Sequence, residues 1–141
     1  MKVLVFCEKN DGAEVRAAYP EGLGEYLAQI LRDAGHTATL LPITASGVEG
    51  FSDELLNEAE VAFWWGHMYH SCVQADIVDK VVDRVHRGMG IIFLHSAHLS
   101  LPFLRLIGTT GFLTWREDGE RERLWCVDPS HPIAAGLGDY I

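Results

Sequence analysis

The sequence predicts an α/β fold, a doubly wound and mostly parallel sheet with helices on both faces. Short apolar runs alternate with amphipathic helical patterns along the 141 residues, which is the alternation that βαβ crossovers produce. The apolar runs carry few polar residues, as strands do when helices cover both faces of their sheet. A single domain over residues 1–141 is expected, because domains cluster at roughly 100–150 residues.

In the first half of the chain, residues 2–7 are apolar after one lysine and predict a buried strand. A helix is expected over residues 21–34, where leucine and isoleucine recur every three or four positions between a proline and a glycine. Residues 36–41 predict the second strand, which Pro42 is expected to end. A short helix is expected over residues 53–59.

The second half repeats the alternation. Residues 60–65 predict the third strand, and residues 73–87 predict the clearest helix, with a valine-rich stripe on one side and charges on the other. Residues 90–95 predict the fourth strand, and a short helix is expected over residues 101–107. From Thr114 onward, the pattern alternates as in a strand.

Composition excludes several classes of protein. The formal charge of −9 argues against binding to nucleic acid and to anionic membranes. No apolar stretch approaches the roughly 18 residues of a membrane span, and the apolar start is too short for a signal-peptide core. The three cysteines are odd in number and widely spaced, which argues against a disulfide framework. We therefore expect a cytoplasmic protein.

Four of the seven histidines form two pairs directly after predicted strands. His67 and His70 follow the third strand, and His95 and His98 follow the fourth. Ligands of open parallel sheets bind at the carboxyl ends of the strands, so we expect the pairs to converge on one cleft. The four imidazoles could hold a divalent metal such as zinc or act as acids and bases. The alternative is that one or two of them are structural.

Other side chains near these strand ends are candidates for contacts with a substrate. Trp65 ends the third strand next to another tryptophan, so one ring faces the core and the other can face the cleft. Ser96 lies between the histidines of the second pair. Arg116 and Arg121, together with Glu117, could contact a substrate, the two guanidinium groups as forked donors to hydroxyl or carbonyl oxygens. Alternatively, these residues could belong to a solvated edge strand.

Long motifs in the chain resemble the trehalose-utilisation (ThuA) family. The match covers essentially the whole sequence, which makes the resemblance specific. The motifs are WWGHM at residues 64–68, VHRGMG at 85–90, LHSAH at 94–98, WRE at 115–117, GERERLW at 119–125 and HPI at 131–133, together with VRAAYPEG at 15–22.

The resemblance implies a fold similar to class I glutamine amidotransferases, which have a flavodoxin-like sheet. In those enzymes a cysteine occupies the turn where this chain has His95, so glutamine hydrolysis is not expected. Family members continue well beyond residues 131–133, so the C-terminal part of the family domain is expected to be missing.

The resemblance also implies a substrate and partners. The family is associated with the catabolism of trehalose and related disaccharides, beside a companion nicotinamide-dependent dehydrogenase that makes 3-keto sugars. A 3-keto-disaccharide is the implied substrate, and a homo-oligomer is possible. His67, His95 and His98 are then the expected catalytic residues, and His70 a substrate contact. Glycosidic cleavage and isomerisation both remain open, as does a non-catalytic carbohydrate-binding or regulatory module.

Overall fold

The computed structural model describes residues 1–116, 118–121 and 124–136, and its centre is one five-stranded sheet. The strand order is β3-β2-β1-β4-β5. All neighbouring strands are parallel except β3, which runs antiparallel to β2. The predicted α/β class with a mostly parallel sheet is confirmed, and it is compatible with a flavodoxin-like fold. The strands are β1 (Lys2–Glu8), β2 (Thr37–Thr44), β3 (Gly47–Val48), β4 (Val61–Trp65) and β5 (Gly90–Phe93).

Helices connect the strands, and one of them was not predicted from the sequence. This extra helix, α1, precedes the expected one and has no buried residue, which explains why no apolar pattern marks it. The helices are α1 (Ala13–Ala18), α2 (Leu23–Asp33), α3 (Asp53–Glu58), α4 (Ala75–His86) and α5 (Leu101–Ile107). Short 3₁₀ helices cover His70–Cys72, His95–Leu99 and Pro132–Ala134.

Pro42 does not end the second strand, contrary to the prediction. The carbonyl of Pro42 accepts a hydrogen bond from the backbone N–H of Glu49 at 2.8 Å. The N–H and C=O of one strand residue point to the same side, so the N–H that proline lacks would face Glu49 and not β1. The ladder between β1 and β2 therefore passes Pro42 and continues to Thr44.

The two faces of the sheet carry separate clusters of buried side chains. On one face, α3 and α4 cover a cluster that includes Phe6 and Trp64, whose rings stack with centroids 4.5 Å apart. On the other face, α2 covers Val5 and Cys7. Gly24 brings α2 close to the sheet, because a Cβ there would lie 2.7 Å from Leu40 Cδ1. This packing fixes the sheet edge at which the strands β1, β4 and β5 end.

The segment after α5 differs from the prediction. Residues 112–116, 118–121 and 124–136 contain no strand, and nearly all of them are exposed. An alternating sequence forms a strand only where it finds a neighbouring edge to pair with, and β5 pairs only with β4 in the described structure. Within the described ranges, no helix is long and apolar enough to cross a bilayer.

Candidate functional site

The strand order creates a crevice at the carboxyl ends of β1 and β4. From β1 the chain moves to β2 on one side and then returns to β4 on the other side. Such a reversal of strand order is where open α/β sheets bind their ligands. Glu8 ends β1 at this point, and residues 66–70 follow β4. The crevice is therefore the first place to look for a site.

A buried carboxylate lies at the centre of the crevice. Glu8 is only 4% exposed. Its Oε2 accepts hydrogen bonds from the backbone N–H groups of His67, Met68 and Tyr69 at 2.7, 2.7 and 2.9 Å. Consecutive N–H groups that converge on one anion form a nest, and hydrogen bonds to a charged acceptor are the stronger kind. Sequence reasoning missed Glu8, whose only signal was a lone carboxylate directly after a buried strand.

His70 lies beside this carboxylate. Both ring nitrogens are buried and have no hydrogen-bond partner in the described structure. Burial lowers the pKa of His70, the charge of Glu8 opposes that change, and His67 and His98 reinforce it. The imidazole of His70 is therefore neutral at neutral pH. Because both ring nitrogens are buried, the structure shows no surface of His70 through which they could contact a substrate. The predicted role of His70 as a substrate contact stays a prediction.

His98 has a defined tautomer. Its Nδ1 lies 2.6 Å from the carbonyl oxygen of Gly111. A carbonyl can only accept, so in the neutral ring Nδ1 carries the proton and Nε2 keeps a free lone pair. Gly111 is required at this position, because its φ is +64° and a Cβ would lie 2.2 Å from the His98 carbonyl oxygen. His98 is thus prepared to accept a proton at Nε2.

His95 occupies a strained turn between β5 and the following 3₁₀ helix. Its φ of +42° is the only positive value among the described residues other than glycine, and its side chain is exposed. Strained backbone of this kind concentrates at functional sites. The next residue, Ser96, is 7% exposed and donates its hydroxyl hydrogen to the carbonyl of Gly66 at 2.8 Å. The Ser96 hydroxyl has one hydrogen to donate, and this bond uses it. The predicted contact between Ser96 and a substrate stays a prediction.

The predicted four-histidine metal site is not assembled. Within the described ranges, no three His, Cys, Asp or Glu side chains are arranged to hold a metal ion. His98 commits Nδ1 to Gly111, and both nitrogens of His70 are buried beneath the loop after β4. The described side chains therefore do not form a ready-made metal site, and a metal role for His67, His70, His95 and His98 stays a prediction.

Cys7 is not a nucleophile at this edge. Burial between the sheet and α2, followed by the charge of Glu8, raises the pKa of the Cys7 thiol to about 12. The thiolate is the reactive form, so this side chain is inert at neutral pH.

For two of the remaining candidates, the structure shows contacts with other parts of the chain. Trp65 is half-buried and packs against the cluster beneath α2. Arg116 is exposed and pairs with Asp118 and Glu120 of its own segment, while Arg121 is exposed. Glu117 lies outside the described residues. The structure brings His67, His70 and His98 close to Glu8 and places His95 after β5 on the same edge. Substrate contacts by Trp65 and by the arginines stay predictions.

This arrangement defines an α/β protein whose candidate ligand site is a sheet edge lined by imidazoles and organised by a buried carboxylate. Comparison of the sequence with models of protein families identifies the family of the chain. The family model described as trehalose utilisation, ThuA, matches residues 2–141, and the chain belongs to that family. Among curated proteins, none matches the chain.

Proposed function

We propose that this member of the trehalose-utilisation family acts on a 3-keto-disaccharide by removing the proton next to the ketone. A carbonyl at C3 of the sugar acidifies the proton at C2. A base of suitable pKa can then remove that proton, provided that donors stabilise the oxygen of the resulting enediolate. The reaction therefore needs one proton acceptor and one hydrogen-bond donor at the same place.

The histidines of the edge can supply both groups. His98 is the proposed base, because its Nδ1 is committed to the carbonyl of Gly111 and Nε2 keeps its lone pair. His67 and His95 are exposed on the same edge and are the proposed donors to the enediolate oxygen. The tautomer of His98 is the single observation that carries this assignment.

Two outcomes follow from the same intermediate. In cleavage, the electron pair at C2 forms a double bond to C1 and expels the glycosidic oxygen, which takes a proton and leaves as an alcohol. In isomerisation, the proton returns to C3 and the ketone moves to C2. The companion nicotinamide-dependent dehydrogenase would supply the ketone in either case. A histidine in place of the amidotransferase cysteine predicts that the protein does not hydrolyse glutamine.

Incubation with 3-ketotrehalose in deuterated water tests the proposal. We expect NMR spectra to show deuterium at C2 of the remaining substrate, from reversal of the proton removal, together with a cleaved product or with an isomerised product that carries deuterium at C3. His98→Asn is the sharpest variant, because the amide nitrogen of asparagine can replace Nδ1 as the donor to Gly111 but cannot act as a base. It should lower turnover about 10²- to 10⁴-fold. Exchange at C2 by His98→Asn at the wild-type rate would falsify the assignment, and His86→Asn, at an exposed position of α4, is the control.

The second candidate is a non-catalytic carbohydrate-binding or regulatory module. It is favoured by the burial of both His70 nitrogens and by the position of Arg116, whose ionic partners belong to its own segment. Calorimetry separates the two candidates. Saturable heat with trehalose or 3-ketotrehalose, without deuterium at C2 and without product, would establish the module.

A further inference from the structure

The loop after β4 is held from two neighbouring strands. From β1, the carboxylate of Glu8 accepts the N–H groups of residues 67–69. From the turn after β5, the hydroxyl of Ser96 donates to the carbonyl of Gly66. Four consecutive residues thus have a backbone group fixed by a side chain from another part of the chain. The loop that carries His67 and leads into His70 is positioned before any ligand arrives.

Glu8 and His70 lie against the same glycine. A Cβ built on Gly66 would lie 3.3 Å from the imidazole of His70 and 3.7 Å from Glu8 Oε2. The absence of a side chain at Gly66 allows both groups to approach the backbone there. The carboxylate is therefore placed to hold the loop and to act on the charge of the neighbouring imidazole.

We propose that Glu8 is a positioning residue whose carboxylate is the built-in anionic ligand of the nest formed by residues 67–69. Glu8 acts through the loop, because it is 4% exposed and its Oε2 already accepts three hydrogen bonds. The effect that we expect of Glu8 on turnover rests on the proposed function. Its role as the ligand of the nest rests on the hydrogen bonds alone.

A simple chemical consequence follows. Replacement of Glu8 by alanine removes a CH₂–COO⁻ group and leaves the N–H groups of residues 67–69 without an acceptor. Acetate has the same carboxylate and nearly the same volume as the missing group, so it should enter the vacated nest. An anion without this planar, two-oxygen shape, such as chloride, should replace it poorly.

The experiment compares the wild-type chain with Glu8→Ala and Glu8→Gln by ¹⁵N–¹H NMR. In Glu8→Ala, we expect the amide protons of His67, Met68 and Tyr69 to move upfield and to exchange faster with solvent. Acetate should reverse both changes saturably, whereas chloride at equal ionic strength should not. Glu54→Ala removes an exposed carboxylate on α3 and should leave these three amides unchanged.

Turnover of 3-ketotrehalose provides the second measurement. Misplacement of a catalytic group by about 1 Å can cost about 100-fold in rate, so kcat/KM of Glu8→Ala should fall about 100-fold through kcat, and acetate should restore part of it. Glu8→Gln keeps an oxygen acceptor and the side-chain volume but not the charge. Its three amides should shift less than in Glu8→Ala, and the pH dependence of kcat should change.

Each outcome decides the proposal. Unchanged amides at residues 67–69 in Glu8→Ala, or no response of that variant to acetate, would overturn it. If Glu8→Ala does not fold, Glu8→Gln decides, and wild-type amide shifts in that variant would overturn the proposal. If the wild-type chain does not turn over 3-ketotrehalose while the amides respond as expected, the proposed function fails and the role of Glu8 stands.

Discussion

The hydroxyl of Ser96 donates to the carbonyl oxygen of Gly66 at 2.8 Å and joins the turn after β5 to the loop after β4. The paired part of the two strands ends at Trp64 and Phe93. The bond therefore extends their attachment beyond the ladder, to the point where His95 and His67 begin. Since both partners are buried, water cannot replace the bond without rearrangement of the edge.

Loss of this hydroxyl should destabilise the fold. In Ser96→Ala the buried carbonyl of Gly66 loses its donor, and we expect the free energy of unfolding to fall by about 1–3 kcal/mol. Urea denaturation followed by circular dichroism measures it. The control is Ser46→Ala, at an exposed position, which should change stability by less than about 0.5 kcal/mol. Equal effects of the two substitutions would contradict the role given to Ser96.

His70 should make the fold less stable in mild acid. Its pKa in the folded chain lies below the ordinary value of 6.5, chiefly because of burial. The unfolded chain therefore binds more protons at this site, and stability is lost as the pH falls below 6.5 through the folded-state pKa. His70→Leu removes this contribution, so its free energy of unfolding should depend less on pH between about pH 7 and pH 5. His86→Gln, at an exposed position, should keep the wild-type dependence, and a wild-type dependence in His70→Leu would refute the interpretation.

Two glycines with similar backbone angles should respond differently to alanine. Gly108 and Gly111 have φ values of +70° and +64°, but only at Gly111 would a Cβ meet a backbone atom, 2.2 Å away. Gly108→Ala should cost about 1–2 kcal/mol for the left-handed backbone alone. Gly111→Ala should cost about 1–3 kcal/mol more, because His98 must move. Thermal unfolding of both variants measures the difference, and equal melting temperatures would disprove it.

The three cysteines should be alkylated in the order of their exposure. Cys126 is exposed, Cys72 is half-buried and Cys7 is buried, with a pKa raised to about 12. Iodoacetamide at neutral pH should label Cys126 first and Cys72 more slowly, and it should label Cys7 only after unfolding. Peptide mass spectrometry gives the order, and labelling of native Cys7 as fast as Cys126 would contradict it.

Stability and turnover should separate at His95. Its φ of +42° is unfavourable for alanine but not for glycine, so His95→Gly should be more stable than His95→Ala by about 1 kcal/mol. Neither variant keeps the imidazole, and both should lose turnover of 3-ketotrehalose. Parallel urea denaturation and NMR product assays test both statements. A fully active His95→Gly variant would remove His95 from the proposed mechanism.

The site was predictable only in part. The positions of His67 and His98 after apolar strands located the edge, because strand ends can be recognised from local sequence. The hydrogen bond of His98 to Gly111 and the burial of His70 were not predictable, because they depend on contacts between separate loops. Glu8 was missed for the same reason.

The sequence by itself determined four of the five strands, the main helices, the family and the sheet edge where the chemistry is expected. Apolar runs and helical periodicity are properties of the local sequence. They indicate which residues will be buried without knowledge of the elements that pack against them. Only the tertiary structure decided that β2 continues past Pro42 and that Glu8 is the anion beneath the histidine loop. Glu8 and His67 are 59 residues apart, and the parallel pairing of β1 with β4 brings the carboxylate under three backbone N–H groups. No local pattern encodes that contact, because its donors are main-chain groups that every residue except proline possesses.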